Sequence, residues 1–335
     1  MLGALEYLGD DDSHMTLAVA RAFVPHAKNG WEFTLDAIGQ YYERVVGEVA
    51  QGHLPPATPA EVTDYVGTYL ESARLLGVRT AELHLALASG APGSKFSVEP
   101  MTQHYLRSLF QSMRSLALQN LHRLRKQMKT LPPDLVPVAQ RVIELEPMIL
   151  QHYRKLVGQY FAAGRIRIHG DFHLGQVLWT GRDFLILDFE GDSTIPIGER
   201  RIKRSPLRDA ARMLRSFHHA TYAGFHQQAE RGVISGENLP KFEPWVRHWN
   251  RAVSRAYLQA YCEKLHPSGI LPSEEDKLQM MLVAYLLNQV VNELGDELQL
   301  RSENVRAPLQ AIIHLTDEQM LLHIAGASGT KAPGQ

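Results

Sequence analysis

The chain has 335 residues, with 35 basic and 36 acidic side chains and a formal net charge of −1. Near-neutrality argues against a general nucleic-acid binder or an anionic-membrane binder, either of which carries a clear basic excess. Hydrophobic residues at 44% and charged residues at 21% give the balance of a water-soluble globule, and no apolar run reaches the roughly 18 residues of a membrane span. The length predicts about two domains, or one large two-lobed one. Asp10-Asp11-Asp12 stands where a secretory leader needs basic residues, and the single cysteine, Cys262, allows neither an internal disulfide nor a multi-cysteine metal site. The expectation is a cytoplasmic protein with no nucleic-acid or membrane partner.

In chain order, residues 3–24 read as a β-hairpin, two apolar stretches around the turn-rich Gly9-Asp10-Asp11-Asp12-Ser13. Pro25 to Gly30 reads as a linker. Leu35, Ile38, Tyr42, Val45, Val46 and Val49 recur at three- and four-residue steps, the mark of a helix with one apolar face. Thr58-Pro59-Ala60-Glu61 opens the next helix, with Pro suited to the first helical position and Thr and Glu placed as a capping box. That helix is expected to run to about Leu87. Ser89 to Glu99 is a Gly/Pro loop, and two long helices are expected at 102–129 and 134–162, separated by Leu131-Pro132-Pro133.

The periodicity then changes. Residues 165–169, 176–179 and 184–188 read as short strands, the last two joined by Thr180-Gly181-Arg182-Asp183. A polar, basic loop covers 191–206. Helices are expected at about 207–223, 240–265, 274–295 and 305–325, with Thr316-Asp317-Glu318-Gln319 a second capping-box match and a frayed tail from Gly326. The fold class is therefore α+β, mostly α: a strand-rich stub of residues 1–25, a helical body of residues 26–325 around one small sheet, and a disordered tail at 326–335.

Chemistry concentrates in Ile168-His169-Gly170-Asp171-Phe172-His173-Leu174-Gly175-Gln176 and Leu187-Asp188-Phe189-Glu190-Gly191. Asp171 lies on a loop between strands, Gln176 is five residues on, and Asp188 ends a hydrophobic strand seventeen residues on. Phosphoryl transfer from a nucleotide needs these parts: a carboxylate to orient and deprotonate the attacking hydroxyl, and separate oxygen ligands to hold Mg²⁺ against the phosphates. Asp171 fits the first role, Gln176 and Asp188 the second. Two other stretches are decoys. Gly90 to Lys95 and Gly326 to Lys331 lack the spacing of a phosphate-binding loop. His218-His219, adjacent on a helix, cannot face one metal together.

His169-Gly170-Asp171 with Gln176 and Leu187-Asp188-Phe189-Glu190-Gly191 resembles the aminoglycoside phosphotransferase-like kinases. The longer run from His169 to Trp179, with Glu199-Arg200-Arg201 and Lys203-Arg204-Ser205-Pro206-Leu207-Arg208-Asp209, looks like the bacterial maltokinases, including those fused to trehalose synthase. The resemblance runs from residue 3 to about residue 320. It implies the C-terminal lobe of a protein-kinase-like fold and the reaction ATP + maltose → ADP + maltose 1-phosphate, with ATP and Mg²⁺ as cofactors and trehalose synthase as a partner, fused or bound. It makes Asp171 the catalytic base and Gln176 and Asp188 the Mg²⁺ ligands. Glu190 either holds the metal through water or is a solvated strand-end acid. His173 either touches sugar hydroxyls or locks its loop. Within the charged run, Glu199 and Arg201 border the substrate, or the run is a solvated face. Arg208-Asp209 is a helix-start ion pair or a brace for the catalytic loop.

Residues 3–24 then correspond to the last hairpin of the N-terminal lobe, with Phe23 and Val24 at a hinge that meets adenine. The first lysine is Lys28, so a strand lysine of the phosphate site is expected outside this chain, and little or no turnover is expected from these residues alone. A second expectation of a different class is a non-catalytic lobe that binds sugar or a partner. The hairpin's underside is expected to be apolar and to limit solubility.

Overall fold

The computed structural model describes residues 2–9, 14–25, 27–56, 58–234, 239–300 and 303–316. The N-terminal hairpin forms as expected. Strands β1 (Gly3–Leu8) and β2 (His14–Ala20) pair antiparallel, with an irregularity between Leu5 and Glu6. Residues 10–13 of its turn lie outside the described residues, as do 317–319 of the second capping box and the tail at 326–335.

The stretch read as a linker contributes a strand. β3 (Lys28–Asn29) joins a three-stranded sheet in the order β3-β6-β7, where β6 is Val177–Trp179 and β7 is Phe184–Ile186. Two residues carry too little alternation to be seen in the sequence. Asn29 then caps helix α1 (Gly30–Ala50), its side-chain oxygen accepting from the Trp31 N–H at 2.8 Å. Helix 58–87 is two helices, α2 (Pro59–Val66) and α3 (Tyr69–Leu87). Gly67 breaks them with a left-handed φ of 72°, and Arg44 donates to the freed Tyr65 carbonyl at 3.0 Å.

β4 (Glu99–Pro100) leads into α4 (Gln103–Gln127), capped by the Thr102 hydroxyl on the Tyr105 N–H. The expected helix 134–162 is shorter and divided into α5 (Val136–Glu144) and α6 (Glu146–Arg154). Pro147 in the first turn of α6 has no N–H with which to continue α5. The strand expected at 165–169 is mostly absent. β5 (Gly164–Arg165) pairs with β4 as a second small sheet, and Ile166 makes an isolated antiparallel bridge to Arg204. Among the described residues the body thus holds two small sheets rather than one. The loop 191–206 contains a short helix, α7 (Ile197–Arg200). The last helices are α8 (Leu207–Glu230), α9 (Leu239–Leu265), α10 (Glu275–Leu300) and α11 (Arg306–Thr316).

One contiguous core runs through the helical body. α3 packs on α9, α1 and α10 pack on α8, and α4 packs on α10. Trp245, Trp249, Tyr41, Tyr153 and Phe217 are among its fully buried side chains. The three-stranded sheet sits at one end, sealed by Phe33 stacked on Trp179 at 4.8 Å and by Phe184 against Trp179 at 4.8 Å. Arg79 of α3 grips Asp183 at the hairpin tip with two bonds, at 2.8 and 2.9 Å, which fixes the hairpin to the body.

Candidate active site

α8 builds the loop that carries Asp171. Asp209, Arg212 and Ser216 recur at steps of three and four and so share one helical face. Asp209 accepts from the backbone N–H of His169 at 2.7 Å and of Gly170 at 3.0 Å. Arg212 Nη1 donates to the Gly170 carbonyl at 2.6 Å and to Asp171 Oδ1 at 2.5 Å. The Ser216 hydroxyl accepts from the Leu174 N–H at 3.1 Å. Gly170, with φ of 87°, takes the backbone turn that an L side chain resists. Of the two readings for Arg208-Asp209, Asp209 is the brace.

Asp209 itself is fully buried and receives His84 of α3 at 3.1 Å, whose other ring nitrogen meets the Tyr261 hydroxyl of α9 at 3.0 Å. Burial alone would raise this carboxyl. His84 and the backbone donors outweigh burial and hold it below its ordinary range. His84 and Asp209 therefore transmit the packing of α3, α8 and α9 to the backbone next to Asp171.

Asp171 is half-buried. His173, with its Nε2 at 3.7 Å, and Arg212 together outweigh burial and bring its carboxyl down to about 2. His173 Nδ1 accepts from the Gly175 N–H at 3.1 Å, which leaves the ring proton on Nε2, the atom facing Asp171. The loop-locking reading of His173 is realised, and the ring faces the carboxylate as well. The second guanidinium nitrogen of Arg212 reaches Asp192 Oδ2 at 3.0 Å, so one cation bridges two carboxylates.

Gln176 and Asp188 meet at the open end of the β6-β7 hairpin. The register pairs Val177 with Ile186, and the Leu187 N–H donates to the Gln176 carbonyl at 2.9 Å. Asp188 follows directly, with φ of 61°, the only left-handed non-glycine residue among those described. His169 Nε2 donates to the Leu187 carbonyl at 2.6 Å, latching the Asp171 loop to this hairpin end. Neither the Asp188 carboxylate, which is exposed, nor the Gln176 side-chain amide is spent on a hydrogen bond or ion pair with a described residue. Two side-chain oxygen donors at one hairpin end, free of described partners, are of the type a hard divalent cation takes. Among the described residues no three His, Cys, Asp or Glu side chains converge to hold a metal.

The remaining expected site residues make no side-chain bond to Asp171, Gln176 or Asp188 among the described residues. Glu190 is exposed, and its carbonyl accepts from Arg200 at 3.4 Å. Glu199 and Arg201 are exposed, and the Arg201 carbonyl accepts from Arg167 at 3.1 Å. Lys203 turns away to Ser97 at 2.9 Å and Glu99 at 3.1 Å. Phe23 is 88% exposed and Val24 half-buried. The segment leading to them passes beside Asp188: Arg21 donates to the Ile186 carbonyl at 3.4 Å and lies 5.5 Å over the Phe189 ring. Lys28 pairs with Asp36.

Arg212, Asp192 and His84 were not legible as site residues. The available signal was weak: polar residues recurring on the apolar faces of α8 and α3.

The chain is 24% identical over 259 residues to a glucosamine kinase of Streptacidiphilus jiangxiensis, an alignment covering 76% of this chain and 48% of that protein. The chain thus spans about half the length of this curated relative. Two solved structures of glucosamine kinase, in different crystal forms, superpose with a TM-score of 0.64 at 23% identity, covering 89% of this chain and 61% or 62% of theirs. A structure of glucosamine kinase with glucosamine, ADP and inorganic phosphate gives the same TM-score over 63% of its chain. No family model matches the sequence. At this identity the likeness establishes a sugar-kinase-like fold.

Proposed function

We propose that this chain is the acceptor-side lobe of an ATP-dependent sugar kinase, transferring a phosphoryl group to a sugar hydroxyl. The observation that carries this reading is Asp171, ionised and held by α8 beside the open Gln176–Asp188 pair. In this reading Asp171 accepts a hydrogen bond from the attacking hydroxyl and so aims its oxygen at the γ-phosphorus. As the new O–P bond forms and the bond to ADP breaks, the hydroxyl proton passes to the Asp171 carboxylate. A carboxyl at about 2 is a weak base. It suits a reaction in which the proton leaves late and orientation matters most. Arg212 keeps Asp171 charged and in place, and the His173 Nε2–H, on the same side, can donate to a sugar oxygen. Gln176 and Asp188 would hold Mg²⁺, which neutralises phosphate charge when bound, while Glu190 lies beside them. Phe23 and Val24 would border the adenine.

Maltose, phosphorylated at its anomeric hydroxyl, is the proposed acceptor. It rests on the His169–Trp179 and Glu199–Asp209 motif resemblance, as does a partnership with trehalose synthase. Glucosamine is the competing acceptor, favoured by the names of the relatives. A second reading, a non-catalytic sugar-binding lobe, is favoured by the hairpin, whose large apolar side chains lie exposed.

One experiment separates these readings. Calorimetric binding of maltose, glucosamine and glucose is measured alongside sugar-dependent ADP release from Mg-ATP, for the full chain and for Asp171→Asn. A kinase lobe binds one of the sugars, and any ADP release falls at least a thousandfold in Asp171→Asn. Sugar binding with no release leaves the two readings to Mg²⁺-dependent ADP binding, which is saturable and weakened in Asp188→Ala for a kinase lobe and absent for a non-catalytic one. Absence of both binding and release overturns the first and the second together.

A further inference from the structure

Helices α8, α9, α10 and α11 leave a cavity of about 70 Å³ where they meet, partly open to solvent. Leu214, Leu286, Val290, Ala311 and Leu315 form its apolar walls. One water takes up about 10–15 Å³ of such free volume, so there is room for a molecule of about five to seven heavy atoms. Voids of this size are few in a close-packed interior, and the space between helices of a bundle is a common place for a small-molecule site.

The side chains chosen by the sequence keep the space open. Leu214, Arg215 and His218 lie on the face of α8 turned away from Asp209, Arg212 and Ser216. The helix that braces the Asp171 loop on one side therefore borders the cavity on the other. Asn250 and Ser254 of α9 are one turn apart and face the same way, as are Leu286 and Val290 of α10. Ser254 and Ala311 are small, and a long side chain at either place would close the cavity.

Asn250 and Ser254 give the cavity a polar edge. Ser254 is 6% exposed. Neither its hydroxyl nor the Asn250 amide nitrogen bonds a described residue, and neither is enclosed as the Asn250 oxygen is. His218 adds a third donor. Arg215 Nη1 donates to its Nδ1 at 2.7 Å, which places the ring proton on Nε2. Burial, then Arg215, His219 and His314, hold this ring neutral. Arg215 is itself paired with Glu293 at 2.7 Å. Neither Arg215 nor His218 offers an entering ion a free counter-charge, and an ion would lose its hydration against the apolar walls.

Neutral donors at one edge of apolar walls call for an oxygen acceptor on a hydrocarbon body. We propose that this cavity binds a small neutral ketone or alcohol, its oxygen accepting from the Ser254 hydroxyl and its hydrocarbon part lying against Leu214, Leu286, Val290 and Ala311. Asn250 and His218 are the neighbouring donors. The site shares no lining residue with the proposed Asp171–Gln176–Asp188 centre and does not depend on the kinase reading.

The test is methyl NMR of the full chain, labelled at Leu, Val and Ala and titrated with cyclohexanone and, as an ion of similar bulk, with cyclohexylammonium. Saturable shifts at Leu214, Leu286, Val290, Ala311 and Leu315 are expected with cyclohexanone alone, and are retained in Asp171→Asn. Affinity is expected to fall at least threefold in Ser254→Ala, which keeps the space and removes the hydroxyl, and to be lost in Ala311→Met, which fills the space. Circular dichroism confirms folding, and Ser254→Ala carries the test if Ala311→Met does not fold. No saturable shift, shifts spread over the whole chain, an equal response to cyclohexylammonium, or unchanged affinity in the folded variants overturns the proposal.

Discussion

Arg212 decides the state of Asp171 more directly than any other side chain of α8, since its guanidinium touches both that carboxylate and the Gly170 carbonyl. Replacing it with Met removes the cation and leaves Asp171 to His173 and burial. The Asp171 pKa is expected to rise from about 2 toward the ordinary aspartate range, read by carboxyl ¹³C titration. The sign for stability follows. A carboxyl depressed in the folded state contributes stability above its unfolded pKa and loses it as pH falls from about 4 to about 2, so Arg212→Met flattens this acid-side slope. Asp171, Gln176 and Asp188 were legible because their spacing is local. Arg212 and His84 were not, because what makes them matter is a partner far along the chain: Asp171 lies 41 residues from Arg212, and Asp209 lies 125 residues from His84.

At the scale of elements, the helices were legible from their apolar periodicity and their breaks were not. Gly67 and Pro147 each interrupt a continuous apolar pattern, and only the backbone geometry shows the interruption. The contact of α3 with α9 turns on one small residue. A Cβ at Gly77 would lie 2.3 Å from the Tyr257 carbonyl oxygen, so Gly77→Ala forces the helices apart. Helix propensity alone favours Ala by about 1 kcal/mol. Overpacking against backbone costs about 1–3 kcal/mol, and the net result expected in urea denaturation is a loss of stability. Gly47→Ala in α1, where the Cβ meets nothing within 4 Å, is the control. It is expected to stabilise by up to about 1 kcal/mol.

For the molecule as a whole, the β1-β2 hairpin is the outlier. Leu5, Tyr7, Leu8, Met15, Leu17 and Val19 are 44–62% exposed, and a net charge of −1 supplies little mutual repulsion. An open two-stranded ribbon with large exposed apolar side chains is a template for association. The full chain is expected to self-associate at tens of micromolar or above, as an order of magnitude. Leu5→Lys with Leu17→Lys is expected to return it to monomer, read by light scattering after size exclusion. The sequence pattern foretold the exposed apolar face, whereas the seating of the body's short strands emerged only from three-dimensional pairing. Asp209 carries a further consequence, one of timing. Its partner His84 sits 125 residues earlier, and His84 in turn needs Tyr261, 177 residues later. The backbone donors of His169 and Gly170 find their acceptor only once α3, α8 and α9 have docked. Loop closures over such spans come late on a folding route. The turn that presents Asp171 is therefore among the last pieces of this chain to take shape, and among the first to be lost when α9 lets go.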